Sequence, residues 1–473
     1  MKDGIEARQW AWGEFGGAGL GHARRVRRLV SMAAGAAEAP GGKISQVYAT
    51  DAERQGAYDL LEESTVSVQD IQRACVQATI ERCAAHPYVF VAVDGSSLTI
   101  TDRKRIRELG TIGSRSVKTR GLKVITAYAI DPAGVPLGIT AQTWWARTQK
   151  PAKSPLQKRK RNAKRPTAKK ETQHWLDTCQ STIEALQDQG PRPWFQLDRE
   201  GDNAAMLQML VASGHDFTVR GNKNRRLAGE STQYLRNKLQ RQRVLGSYEL
   251  NVVAGHKRAA RQAKMAVRAC RVSLRIRHPW THATKVLTLT AVLTREVSRV
   301  PAGEEPIDWL LFTNREVKTF EEASLVIHGY SLRWRIEELH KTWKSGGCHV
   351  EETQLHSQAA IIKWATILVA VATRIERLKL LSRESPQSPA SQEFSPIELQ
   401  ALVLLKHRQK KRTEHVHDNP TLGEAVRWLA DLGGYTGKSS GGPPGTITIG
   451  RGFARVLIAV DVLTALKPRR RAK

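Results

Sequence analysis

Two aspartates, Asp94 and Asp198, each close a short apolar run of β-forming residues, Tyr88 to Val93 and Trp194 to Leu197. Small or polar residues follow both: Gly95-Ser96-Ser97 after the first, Arg199-Glu200-Gly201-Asp202 after the second. Carboxylates at the ends of adjacent strands can converge on a hard cation. A divalent ion such as Mg²⁺ favours one or two carboxylates together with substrate phosphate oxygens. Taken singly, either aspartate reads more readily as a turn or N-cap residue.

The stretch from Tyr330 to Lys344 is more specific. Read as one α-helix at about 100° per residue, it places Tyr330, Arg333, Glu337, Lys341 and Lys344 on a stripe about 80° wide. Leu332, Ile336, Leu339 and Trp343 fall on a separate apolar stripe. Glu338 lies about 100° round from Glu337, so Glu337 is the carboxylate among the cations. One carboxylate beside cations and a phenol suits a metal ligand flanked by phosphate-binding groups. The ordinary reading is a surface helix with i,i+4 pairs such as Glu337–Lys341, and it would be preferred without the two aspartates.

The elements that must position these residues can be read from the pattern. Helical patterns cover Ala23 to Ala37, with Arg24, Arg25, Arg27 and Arg28, and Val68 to Cys83. Arginines leading a small helical domain suit phosphate contact, and a solvated helix face fits them equally. Strands are predicted at Tyr88 to Val93, Leu122 to Ile130 and Val135 to Trp144, with Asp131-Pro-Ala-Gly134 as a turn. A basic segment, Lys150 to Lys170, reads as an exposed loop that either solubilises or contacts phosphates. A helix at Thr172 to Gln187, a strand ending at Asp198, a helix from Asn203 and a strand at Asp216 to Arg220 follow. Arg271 to Arg277 alternates apolar and mainly cationic residues, the period of a strand. Lys285 to Thr294 and Asp308 to Thr313 are further strands, and helices return at Phe320. Ser385 to Pro396 is a linker, and Thr421-Leu-Gly-Glu424 reads as a capping box.

Composition narrows the partners. The 473 residues carry 75 Lys and Arg against 45 Asp and Glu, a net charge of +30, with 40% apolar residues. That is enough apolar content for real cores, so a disordered basic tail is excluded. The charge argues for a polyanion, nucleic acid first and an anionic membrane surface second. Five scattered cysteines make no disulfide framework and no paired zinc site, and a reducing compartment fits. His340, Cys348 and His349 lack a second Cys/His pair at zinc spacing. The apolar stretch near Ile361 to Ile375 is interrupted by Lys363 and Arg374, and no signal-peptide core opens the sequence. The expectation is a soluble chain in the cytoplasm with no membrane partner.

Taken together, these motifs resemble the DDE transposases of bacterial insertion sequences, in the insertion-sequence-four branch with a Tyr–Arg–Glu–Lys signature. Tyr330, Arg333, Glu337 and Lys344 meet that signature. Further matches, spread over nearly the whole chain, include Gly21-His-Ala-Arg-Arg25, Gln55-Gly-Ala-Tyr58, Asp94-Gly-Ser-Ser-Leu98, Trp144-Trp145, Asp198-Arg-Glu200, Trp309-Leu-Leu and Leu432-Gly-Gly434.

The resemblance implies an α/β fold: a ribonuclease-H-like catalytic core interrupted by a β-strand insertion, with helical N-terminal and C-terminal domains. The expected division is 1–75 for N-terminal DNA binding, 76–225 and 309–383 for the core, 226–308 for the insertion and 384–473 for dimerisation. Asp94, Asp198 and Glu337 would be the catalytic triad, holding two Mg²⁺ or Mn²⁺ ions, one activating a nucleophile and one stabilising the leaving oxygen. Excision would pass through a DNA hairpin and end in strand transfer. Trp309 would stack a displaced base, with Trp334 wedged nearby. Tyr330, Arg333, Lys344, His340 and Lys341 would contact the DNA end, as would Arg220, Arg225, Arg24, Arg25 and Arg28. The partners implied are double-stranded transposon-end DNA, target DNA and a second copy in a homodimer, at the nucleoid of a bacterial cell. Glu38, Ala39 and Asp59 stand where a well-matched family member has basic or polar DNA contacts, so end recognition is expected to differ. A silent DNA-binding relative and a nuclease without strand transfer are the alternatives.

Overall fold

The computed structural model describes residues 7–48, 50–102, 106–113, 119–147, 170–187, 190–229, 234–255, 258–277, 284–409, 414–437 and 443–466. The expected basic loop lies outside them except for Lys170. In chain order the helices and strands are α1 (Ala7–Phe15), α2 (Ala23–Glu38), α3 (Ile44–Val47), α4 (Asp51–Glu62), α5 (Val68–Cys83), β1 (Tyr88–Thr99), β2 (Gly110–Thr111), β3 (Arg120–Ile130) and β4 (Pro136–Trp145). Then come α6 (Thr172–Leu186), β5 (Arg192–Leu197), α7 (Ala204–Ser213), β6 (Asp216–Arg220), α8 (Leu235–Gln240), β7 (Gly246–Val252), β8 (Arg261–Arg277), β9 (Thr284–Glu296) and β10 (Asp308–Thr313). The rest is helical: α9 (Phe320–Leu332), α10 (Trp334–Lys341), α11 (Gln358–Glu384), α12 (Pro396–Gln409), α13 (Leu422–Leu432) and α14 (Thr446–Leu466). The chain forms two compact units, one of Met1–Ala85, Gly95–Lys150 and Arg335–Lys473, the other of His86–Asp94 and Pro151–Trp334.

In the first unit α11 is the central element. It is long and apolar enough to cross a bilayer by length and composition, yet its side chains are enclosed by α2, α4, α5, β4, α13 and α14. Its two mid-helix cations are satisfied rather than exposed. Lys363 Nζ donates to the carbonyls of Leu61 and Glu63, both at 2.8 Å, and Arg374 pairs with Glu398 at 2.8 Å. Buried charges persist only when paired or hydrogen-bonded in this way. The N-terminal and C-terminal helices therefore share one core. Thr421 and Glu424 form the expected capping box at the start of α13. β3 pairs antiparallel with β4, and Asp131 and Gly134 make the turn between them, with Gly134 at φ 100°.

The second unit is built on a mixed sheet. Residues 88–93 of β1 run parallel to β5, and β5 runs parallel to β6. β10 then pairs antiparallel with β6 and with β9, and β8 and β7 continue the antiparallel order. The strands expected as an insertion thus extend the same sheet, and β7 joins them; its alternation of Tyr248, Leu250 and Val252 with Ser247, Glu249 and Asn251 is a strand signal that the sequence reading missed. Phe90, Trp194, Phe195, Phe217 and Phe312 are fully buried. α9 lies close on this sheet: a Cβ on Gly329 would fall 2.4 Å from Phe90 Cε1, so only glycine allows that approach.

Candidate functional site

Asp94 and Asp198 both belong to the second unit. Val93 pairs with Leu197 in the parallel register of β1 and β5, so the aspartates follow at the same end of two adjacent strands. The residues before them are buried and the carboxylates are half-buried. Asp198 does cap a turn, the 3₁₀ segment Arg199–Gly201: its Oδ1 accepts from the Glu200 N–H at 2.7 Å. Among the described residues its Oδ2 accepts no hydrogen bond, so capping leaves one oxygen for a ligand. Asp94 Oδ2 accepts from Arg333 Nη1 at 3.1 Å, and the two side chains are only 15% and 12% exposed.

The Tyr330–Lys344 segment is not the single helix that its spacing predicts. α9 ends at Leu332, and the Arg333 N–H bonds back three residues to the Tyr330 carbonyl at 3.1 Å. α10 ends at Lys341, and Thr342–Gly346 is a π turn. Arg333 keeps helical angles, φ −52° and ψ −30°, so the interruption there is one tightened turn, and the π turn is what shifts Lys344 from the common stripe. Both interruptions sit beside packing against residues distant in sequence. Tyr330 is buried with its ring 5.4 Å from that of Trp309. The wider π turn buries Trp343 completely, with its Nε1 donating to the Ala365 carbonyl at 3.1 Å. It also carries Lys344, whose Nζ donates to the Ser97 carbonyl at 2.8 Å and pairs with Glu351 at 3.4 Å. Glu351 in turn accepts from the Thr99 N–H at 2.6 Å. Glu351 has no signal in the spacing of the motif, because its partners are distant in sequence.

Glu337 lies half-buried on α10 in the first unit. Its neighbour Glu338 has a structural role. Glu338 accepts from Lys379 at 3.0 Å and Arg335 at 2.9 Å. Lys379 also pairs with buried Glu376, which accepts from Thr342 and Thr446. Burial pushes the Glu338 carboxyl up, but Lys379 and Arg335 outweigh it and hold it below the ordinary range. His340 is buried with its ring near Trp343, and Lys341 is exposed. Trp334, between α9 and the rest of α10, is 62% exposed.

The second unit gathers Trp309, Tyr330 and Arg220. The Arg220 guanidinium lies 5.9 Å from the Trp309 ring centroid, a cation–π distance. Asp308, one residue earlier on β10, is held by Arg236 at 2.7 Å. Arg225 is paired with the carboxylate of buried Asp202, which also accepts from the Asn222 N–H at 2.8 Å. A phosphate at Arg225 would have to share it with that carboxylate.

In the N-terminal helices Arg24 and Arg28 are exposed. Arg25 is half-buried, 3.7 Å from Glu63. Arg28 crosses α4 at Gly56, where a Cβ would fall 2.6 Å from its Cζ. Residues 7–66 match the family model described as Transposase DNA-binding. The chain thus carries a transposase DNA-binding domain at α1 to α4, and DNA is a supported partner.

Proposed function

We propose that this chain is a cut-and-paste DNA transposase that cleaves transposon ends through a hairpin and joins them to target DNA. Asp94, Asp198 and Glu337 are its catalytic carboxylates, on a ribonuclease-H-like core of β1, β3, β4, β5 and β6. The observation that carries this reading is the β1–β5 register, whose parallel pairing stops at Val93 and Leu197 and is followed on each strand by an aspartate, Asp94 and Asp198, in a chain with a transposase DNA-binding domain. The donors are oxygen only, and Asp198 keeps one oxygen uncommitted, which fits Mg²⁺ or Mn²⁺. Such ions, when bound, polarise the phosphodiester and lower the pKa of the attacking water.

The remaining groups work by positioning. Arg333 orients Asp94 through their ion pair. Trp309 offers a face for a displaced base, held by Tyr330 and Arg220. Arg24 and Arg28 meet end DNA from α2, and two copies pair the two ends.

The test is a cleavage assay with Mg²⁺ and labelled DNA bearing the inverted repeats that flank the coding region, with Glu337→Gln as control. A hairpinned end, absent in the control, is the expected result. Nicks without hairpins would point to a nuclease. Binding without cleavage in either metal would leave a DNA-binding relative.

A further inference from the structure

Strands β8 and β9 outrun their neighbours. β7 pairs with β8 only as far as Val267, and β10 pairs with β9 only from Thr290 to Arg295. Beyond those points Arg271 to Arg277 and Thr284 to Thr290 pair with each other. Among the described residues no further strand joins them; a single bridge, Leu227 to Leu274, touches one edge. The result is a two-stranded ribbon. Its inner face is apolar and buried: Val272, Leu274 and Ile276 with Leu287 and Leu289. α8 packs against both strands.

Its outer face is different. Arg271, Arg275 and Arg277 are exposed there, two or four residues apart; Arg275 and Arg277 lie opposite exposed Val286 and Thr284, and Arg271 lies opposite buried Thr290. Ser273 and Thr288 bond to each other across the strands at 3.2 Å. Among the described residues none of the three arginines has a carboxylate within 4.0 Å, and this face carries no acid. At about 3.3 Å per residue the three cations span about 20 Å along one strand direction. A row of exposed cations with no acid beside it makes a local positive potential that attracts a polyanion.

We propose that this outer face contacts the phosphate backbone of duplex DNA without reading its bases. The partner's identity rests on the transposase reading above; the charge, spacing and absence of acids on the ribbon do not. Duplex DNA carries one charge per about 1.7 Å of axis, so a row of this length meets several phosphates.

The experiment measures binding of the full chain to two duplexes of equal length, one carrying its own inverted repeat and one scrambled, between about 50 and 200 mM salt. Wild type is compared with Arg271, Arg275 and Arg277 all changed to Gln, and with all three changed to Lys. The Gln variant should weaken both duplexes alike and reduce the log–log salt slope by about 2.7, while the Lys variant keeps the slope. Should the Gln triple variant fail to fold, each single Gln variant should reduce the slope by about 0.9. An unchanged slope overturns the proposal. So does a loss confined to the inverted-repeat duplex, or one seen only on phosphatidylserine vesicles. A wild type that cleaves its own ends while the slopes stay fixed removes the ribbon contact alone. Altered slopes in a protein that cleaves nothing remove the transposase reading alone.

Discussion

Arg333 Nη1 donates to Asp94 Oδ2 across 3.1 Å, fixing the carboxylate where β1 stops pairing with β5 from the residue that follows α9. Both groups are largely buried, so the bond is poorly screened by water. A charge-assisted bond of this kind contributes about 1.5–3 kcal/mol, which is about 10- to 150-fold in rate if it is needed in the transition state. Arg333→Ala should slow single-turnover cleavage by that factor, and Arg333→Lys should recover part of it. The Mg²⁺ concentration needed for half-maximal rate should move with it, since the carboxylate loses its orientation. Equal rates and equal Mg²⁺ dependence in Arg333→Ala would remove the positioning role.

Two adjacent glutamates should fail in opposite ways. Glu338 is tied to Lys379 and Arg335, and through Lys379 to buried Glu376. Glu338→Gln should lower unfolding free energy by about 1–3 kcal/mol, the cost of leaving a charged partner unsatisfied. Glu337→Gln should leave the denaturation midpoint in place and abolish cleavage while DNA binding persists. Chemical denaturation and a binding assay on the same preparations separate the two. A Glu337→Gln protein that still cleaves would exclude Glu337 from the proposed triad.

What was legible in the sequence follows from how local the determinants are. The helix at Val68–Cys83 and the strand at Asp216–Arg220 match their expected bounds, because caps and apolar period act over a few residues. The alternation at Arg271 to Arg277 gave a strand with the expected buried and exposed faces. The breaks at Arg333 and Thr342 were not legible. Beside them Tyr330 packs on Trp309 and Trp343 is buried against α11, contacts between residues distant in sequence. The same holds for the Arg333–Asp94 pair, 239 residues apart. Spacing nominated both residues, and only the fold joined them.

Acid should loosen the far end of the sheet through Glu296. Hydrogen bonds from Arg261 are the main cause that holds its carboxyl at about 2, against an ordinary 4.5, helped by the Ile307 N–H. The folded value is the lower one, so the stabilisation is complete above pH 4.5 and is lost as pH falls towards 2. In Arg261→Gln that pH dependence should shrink, and the neutral-pH melting temperature should fall. Melting temperatures of both proteins across this window provide the check. Parallel curves for the two would mean that the pair contributes nothing.

Trp309 should matter for one chemical step rather than for the fold. Its ring is half-buried, edge-on to Tyr330 and beneath Arg220, so a face supported on two sides is available to a flipped base. Stacking of a base on an aromatic contributes about 1–3 kcal/mol, enough to offset the unstacking that a hairpin demands. Trp309→Ala should therefore slow hairpin formation by about 5- to 150-fold while the first nick proceeds near the wild-type rate. Trp309→Phe should fall between the two. An abasic nucleotide at the displaced position should restore the alanine variant in part, since no base then needs a platform. Loss of nicking and hairpinning together in Trp309→Ala, without rescue by the abasic substrate, would assign Trp309 to the core of the β-sheet instead.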